Sequence, residues 1–253
     1  MPYSAEFITS IHEVAPEIWN AIVDSSYPFL RHEYFCALEN TGCTNEQSGW
    51  QVQHLIIRQK EKIIAVMPCY LKHHSYGEYV FDWSWANAYE RAGLDYYPKI
   101  LSAIPYTPCT GPRICICEYA DEESVFTFIC ETLKTYCREK NLSTAHILFT
   151  TEKENSYLEK QSKWQERHGV QFHWKNNNYQ NFDDFLAELS SRKRKSLRKE
   201  RQQVIDAGVE IRCLKGSEIT DAIWDRFYHC YQVTYAKRSG HGGYLSADFF
   251  KTL

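Results

Sequence analysis

Residues 50–72 read WQVQHLIIRQKEKIIAVMPCYLK. Trp50 to Arg58 partly alternates and is rich in Val, Ile and His, and Lys62 to Lys72 is a second β-type run. Only Gln59-Lys60-Glu61 separates them, a spacing that predicts a β-hairpin. Upstream, Phe7 to Ile11 reads as a strand. Pro16 to Val23 reads as a helix with Pro in its first turn, and Leu30 to Asn40 as a second helix stopped near Gly42. Downstream, Trp83 to Ala92 reads as a helix, Lys99 to Ile104 as a short apolar run and Ile114 to Cys117 as a strand. Glu122 to Lys140 is an amphipathic helix with Val125, Phe126, Ile129, Leu133 and Tyr136 near one face. Ala145 to Phe149 reads as a strand, Tyr157 to His168 as a helix and Val170 to Trp174 as a strand. This order predicts a mixed α/β (α+β) layer fold. Helices and strands do not alternate one for one, which argues against a doubly wound sheet.

A first domain over 1–175 is expected, with a second beginning at 176. Phe182 to Ala207 reads as one long helix or two abutting ones, ended by Gly208, with a strand at Val209 to Leu214. Ser217 is expected to cap a helix through Tyr235, and Ser246 to begin another. One strand and a few helices leave little to pack against. The second domain is therefore expected to be incomplete, with the chain stopping inside it.

The 253 residues carry a net charge of −3, so no global field draws the chain onto nucleic acid. The charge is uneven, because Arg192 to Arg201 is a basic block. Neither a signal peptide nor an apolar run long enough to cross a membrane is visible, so a cytoplasmic location is expected. Ten cysteines include no CxxC, and Cys115–Cys117 and Cys130–Cys137 have spacings unsuited to zinc. They read as buried small hydrophobes, and no metal is expected.

Between the hairpin and the turn-rich stretch 105–113 lies HHSYGEYVFDWSWANAYERAG, residues 73–93. Aromatic walls around a few polar groups are the usual make-up of a small-molecule cleft. Residues 71–113 as a whole resemble the FemAB-like predicted N-acyltransferases, which have a GNAT-type fold. Leu189 to Gly208 is similar to the basic helix of Fem-type peptidoglycan transferases, with the pattern falling on Arg194, Leu197, Arg198, Lys199, Gly208 and Val209. Tyr231, Thr234, Arg238, Gly240, Tyr244-Leu245 and Phe249-Phe250 fit the same group.

The resemblance implies a GNAT-like acyltransferase domain followed by an incomplete second one. It implies transfer of an acyl or aminoacyl group to an amine, with acyl-CoA or aminoacyl-tRNA as donor. The acceptor would be a small molecule or glycopeptide such as a peptidoglycan precursor, and tRNA would be a further partner. Acyl transfer needs a base for the amine, a donor for the oxyanion and substrates held in line. Asp82 and Glu90 are the candidate bases, with helix capping as the other reading of Asp82. Tyr76 is the candidate oxyanion donor. Trp83, Trp85 and Tyr106 are candidate walls, and Arg91 and Arg113 candidate grips for polar or anionic groups. Arg91 could equally pair with Glu90. Arg194 and Arg198 share a helix face with Leu197 and Arg201, where clustered positive charge suits an anionic partner. His73 and His74 are adjacent at a strand end, so at most one faces a given cleft. The loop 107–113 lacks the glycine-rich pattern that cradles a pyrophosphate, and Pro112 removes a donor. The rival expectation is a non-catalytic module that binds a glycopeptide or peptide in an aromatic groove.

Overall fold

The structure is a computed structural model that describes residues 3–23, 26–80, 82–161 and 163–253. Phe81, from the aromatic run, and Ser162, from the helix expected at 157–168, lie outside the described residues. The chain divides into two compact units, 1–166 together with 221–253, and 167–220. These units do not coincide with 1–175 and 176–253, because the last 33 residues (221–253) belong with the first.

In the first unit, β1 (Tyr3–Ile8) is followed by α1 (Pro16–Asn20) and α2 (His32–Asn40). The hairpin then forms as predicted, but its arms serve two sheets. One arm holds β2 (Trp50–Val52) and β3 (His54–Gln59); the other holds β4 (Lys62–Met67) and β5 (Tyr70–Lys72). β3 pairs with β4, and β2 pairs with β5, both antiparallel. The break between the two ladders has a local cause. Pro68 has no N–H to give. The next N–H, on Cys69, goes to the side chain of His54, whose Nδ1 accepts it at 3.1 Å.

After α3 (Trp83–Arg91) come β6 (Lys99–Ser102), β7 (Cys115–Ile116), α4 (Glu122–Glu139), β8 (Ala145–Ile147) and α5 (Glu152–Leu158). The first sheet has the order β1-β3-β4-β7, and the second β2-β5-β6-β8, in which β6 and β8 run parallel. The mixed α/β architecture is as expected. The predicted face of α4 buries Val125, Phe126, Ile129 and Leu133 in one cluster with Leu55, Ile57 and Ile64 of the hairpin. Each such side chain contributes about 1.5–3 kcal/mol when fully buried.

The second unit holds α6 (Phe182–Ala187) and α7 (Ser191–Asp206), so the expected long helix is two. The strands expected at 170–174 and 209–214 do not form. Phe172 and Ile211 are almost wholly exposed there, and no neighbouring strand pairs with either run. A strand without a partner leaves its backbone groups to water. The helix expected through His168 ends at Leu158, and Lys163 takes a φ of 71°, which an α-helix cannot contain. The chain then returns to the first unit with α8 (Asp221–Ser239) and α9 (Ala247–Thr252). Ser246 caps α9, and Phe249 and Phe250 join Trp19, Leu30 and Phe35 in a second apolar cluster.

None of the ten cysteines forms a disulfide. Cys43, Cys69, Cys115 and Cys130 are buried as expected, whereas Cys109, Cys213 and Cys230 are exposed. No helix among the described residues is long and apolar enough to cross a membrane.

Candidate active site

The second sheet brings two lysines face to face. Strand register places Trp50 opposite Lys72, and Lys72 opposite Lys99. Both lysines are fully buried. Like charges directly opposite on a sheet repel, and buried charges need partners. The partners come from the aromatic run.

Lys99 Nζ donates to Asp82 Oδ2 at 2.6 Å, to Glu78 Oε2 at 2.9 Å and to Ser75 Oγ at 3.1 Å. Lys72 Nζ lies 3.9 Å from the centre of the Trp50 ring and donates to the Tyr76 carbonyl at 3.3 Å. The Tyr96 hydroxyl donates to Asp82 Oδ2 at 2.7 Å and lies 3.3 Å from His146 Nε2. Ser75 Oγ and the Tyr97 hydroxyl are 2.7 Å apart. Glu78 is 3% exposed and Asp82 1%, yet Glu78 Oε1 and Asp82 Oδ1 have no hydrogen-bond partner among the described residues.

The electrostatics separate the two carboxylates. Burial pushes the Glu78 carboxyl above the usual range, and the attraction of Lys99 and Lys72 only partly offsets it. Burial also pushes Asp82 upward, but the hydrogen bonds from Lys99 and Tyr96, with the Ser75 hydroxyl nearby, outweigh it and hold its carboxyl below the usual range. Lys72 is pushed down to about 7, mainly by burial, with Glu78 pulling the other way. Pairs of titratable groups whose environments drive them apart are a common basis for acid–base division of labour.

The sequence-predicted residues fall in different surroundings. Asp82 occupies the N-cap position of α3 but makes no capping bond; its side chain serves Lys99 instead. Tyr76, Trp83 and Trp85 are 54%, 40% and 47% exposed, and the Tyr76 and Trp83 rings touch at 5.0 Å between centroids. They remain available as an outer aromatic face. Glu90 and Arg91 are exposed on α3, and no ion pair joins them among the described residues.

Arg113 and Tyr106 are corrections. The Arg113 guanidinium is fully buried and donates to the carbonyls of Cys109, Gly111, Pro112 and Leu148 at 2.6–3.0 Å. Its donors are spent on the backbone, so it ties the 109–113 loop together rather than gripping an anion. The Tyr106 hydroxyl donates to the Cys43 carbonyl at 2.7 Å, and its ring stacks on Tyr244. It is a packing residue. The start of α4 is equally unsuited to a pyrophosphate, because the Asp121 side chain caps it and Glu122 and Glu123 follow.

In the second unit, Arg198 pairs with Asp183 at 3.0 Å, and Arg194 donates to the Leu189 carbonyl at 3.4 Å. α7 has no buried residue. Lys72, Glu78, Tyr96 and Lys99 were missed as site residues. Lys72 and Lys99 sat in runs read only as strand and apolar stretch, and the signal was that a lysine within an apolar run needs a carboxylate.

The chain belongs to the FemAB-like family, described by peptidoglycan biosynthesis/recognition, which matches residues 10–253. Among solved structures it is similar to a ribosomal-protein-alanine N-acetyltransferase from Brucella melitensis biovar Abortus 2308, at 9% identity, over 69% of this chain and 100% of that one, with a TM-score of 0.42. An aminoglycoside antibiotic 6'-N-acetyltransferase from Acinetobacter baumannii matches at 10% identity over 69% and 98%, with a TM-score of 0.40. An aminoglycoside acetyltransferase from an uncultured soil metagenomic sample, crystallised with trehalose, matches at 10% identity over 69% and 97%, with a TM-score of 0.37. No curated protein matches the chain.

Proposed function

We propose that this protein is an N-acyltransferase that moves an acyl or aminoacyl group to the amine of a cell-envelope precursor. The observation that carries this reading is the buried Lys99–Glu78–Asp82 group, whose two carboxylates lie in the same run as the half-exposed rings of Tyr76, Trp83 and Trp85. It combines proton-accepting oxygens with aromatic surface for a substrate. Membership of a family described by peptidoglycan biosynthesis/recognition supports the acceptor class. The similarity of residues 189–208 to Fem-type transferases supports the transfer, with acyl-CoA or aminoacyl-tRNA as donor. Arg194 and Arg198 would hold an anionic part of either substrate. Asp82 anchors the ammonium of Lys99, and Glu90 is a second, exposed carboxylate in reach of solvent.

A second reading is favoured by one feature of the 167–220 unit. Trp174, Tyr179, Phe182 and Phe185 line a cavity of about 320 Å³ together with Asn176, Gln180 and Asn181. Rings and amides together suit a sugar or peptide, as in a recognition module without turnover.

The test offers the protein acetyl-coenzyme A or alanyl-tRNA together with a lysine-containing muropeptide and looks for the acylated amine by mass spectrometry. Transfer from either donor supports the enzyme. Calorimetric binding of the muropeptide without transfer from either donor supports the recognition module instead.

A further inference from the structure

Two carboxylate oxygens in the first unit are buried and unpartnered, and they belong to residues joined through one ammonium. Glu78 Oε2 and Asp82 Oδ2 both accept from Lys99 Nζ, at 2.9 and 2.6 Å. Glu78 Oε1 and Asp82 Oδ1 accept from nothing among the described residues. A buried acceptor without a donor costs about 1–3 kcal/mol, more when charged. Two such oxygens in one cluster are a standing demand for N–H or O–H donors. The surrounding groups do not meet it. Lys72 spends a proton on the Tyr76 carbonyl and faces the Trp50 ring; Tyr96 and Ser75 are engaged with Asp82 Oδ2 and with Tyr97 and Lys99.

Resting on the transferase reading, we propose that Glu78 Oε1 and Asp82 Oδ1 are the docking point for a primary ammonium group of the acceptor, and that Glu78 takes the proton that frees the amine. An alkylammonium carries three donors and one positive charge, which matches two free oxygens on anions. The first proton passes from nitrogen to Glu78, leaving a neutral amine and a carboxylic acid. The nitrogen lone pair then forms the bond to the acyl carbon. The bond from that carbon to the donor's sulfur or oxygen breaks, and the leaving group departs with a second proton from nitrogen. Glu78 returns its proton to solvent.

The division of roles follows the surroundings. Asp82 accepts from Lys99 and Tyr96 and its carboxyl is held below the usual range, whereas burial raises that of Glu78, the direction that suits a base. The oxygens are closed off from solvent, so docking requires a local opening of the chain around them. Glu78 sits there between Gly77 and Tyr79, whose φ values are 79° and 60°. A left-handed tyrosine is a strained position of the sort that accumulates at ligand clamps.

The experiment compares wild type with Glu78→Gln, which keeps the shape and the acceptor toward Lys99. Acetyl transfer to the lysine muropeptide is followed from pH 5.5 to 8.5. The expected result is a kcat at least 100-fold lower, with the fall in wild-type rate at low pH absent from the variant. A parallel infrared titration adds n-butylammonium without any donor. It should shift a carboxyl band in wild type that Glu78→Gln lacks. Unchanged kcat and pH profile in the variant would overturn the proton-accepting role, and no response to butylammonium would overturn the docking point, leaving buried water as the partner of the two oxygens. If wild type transfers nothing from either donor, the transferase reading fails, while the butylammonium response still decides the ammonium site. If Glu78→Gln does not fold, the wild-type infrared response alone decides it.

Discussion

Lys72 shows how one side chain couples packing to pH. In the folded chain it loses its proton near pH 7 because it is buried, whereas in the unfolded chain it keeps it to about 10.5. Between these values the unfolded state binds more protons than the folded state at this position. Stability from Lys72 therefore rises with pH across that window, by at most about 1.4 kcal/mol per pH unit. In urea unfolding, wild type should gain on Lys72→Met by about 2 kcal/mol between pH 7 and pH 9. Parallel curves would mean that Lys72 stays charged in the fold. None of this was visible in the residue itself. Lys72 ends the run KIIAVMPCYLK, where a terminal lysine ordinarily reaches water. Lys99 lies 21 residues from Glu78, and only the register of β5 and β6 brings it beside Lys72.

At the scale of elements, the local signals were good and the long-range ones were silent. The hairpin, α3, α4 and α9 could be read from alternation, 3.6-residue spacing and a serine cap. What could not be read was that the hairpin divides, because the division needs His54 to take an N–H from 15 residues away. The strands expected at 170–174 and 209–214 failed for the opposite reason. Their residues favour β structure, but a strand exists only against a neighbour.

α7 makes a prediction of its own. Its basic residues are largely exposed, and the Arg198–Asp183 pair is a surface pair worth under about 1 kcal/mol. Arg194→Glu combined with Arg198→Glu should change unfolding stability by less than about 1 kcal/mol. It should weaken calorimetric binding of tRNA or of inorganic pyrophosphate at least tenfold, since attraction becomes repulsion. Equal binding by the double variant would mean that α7 does not hold either anion.

Across the whole molecule, burial is distributed unequally. α4 buries six residues; the 167–220 unit buries Leu186 and no other side chain among its described residues. Regions with few buried contacts open at low free energy. Hydrogen exchange followed by mass spectrometry should therefore find amides of α7 exchanging at least 100-fold faster than those in the middle of α4. Comparable protection would mean that ligand or partner contacts hold the second unit. The aromatic run was recognised from composition as a candidate cleft, but composition could not rank its carboxylates. Asp82 and Glu90 stood out beside tryptophan and arginine, while Glu78, between glycine and tyrosine, drew no role.

Trp50, Lys72 and Lys99 stand side by side on three neighbouring strands, answered by Glu78 and Asp82. Lys99 answers both Glu78 and Asp82, so replacing it alone by a neutral residue would strand negative charge in the interior, at a cost of about 3–5 kcal/mol. Lys99 and its two carboxylates are thus tied together as one heritable character: a lineage, or a designer, cannot give up the lysine without also giving up the acids that it answers.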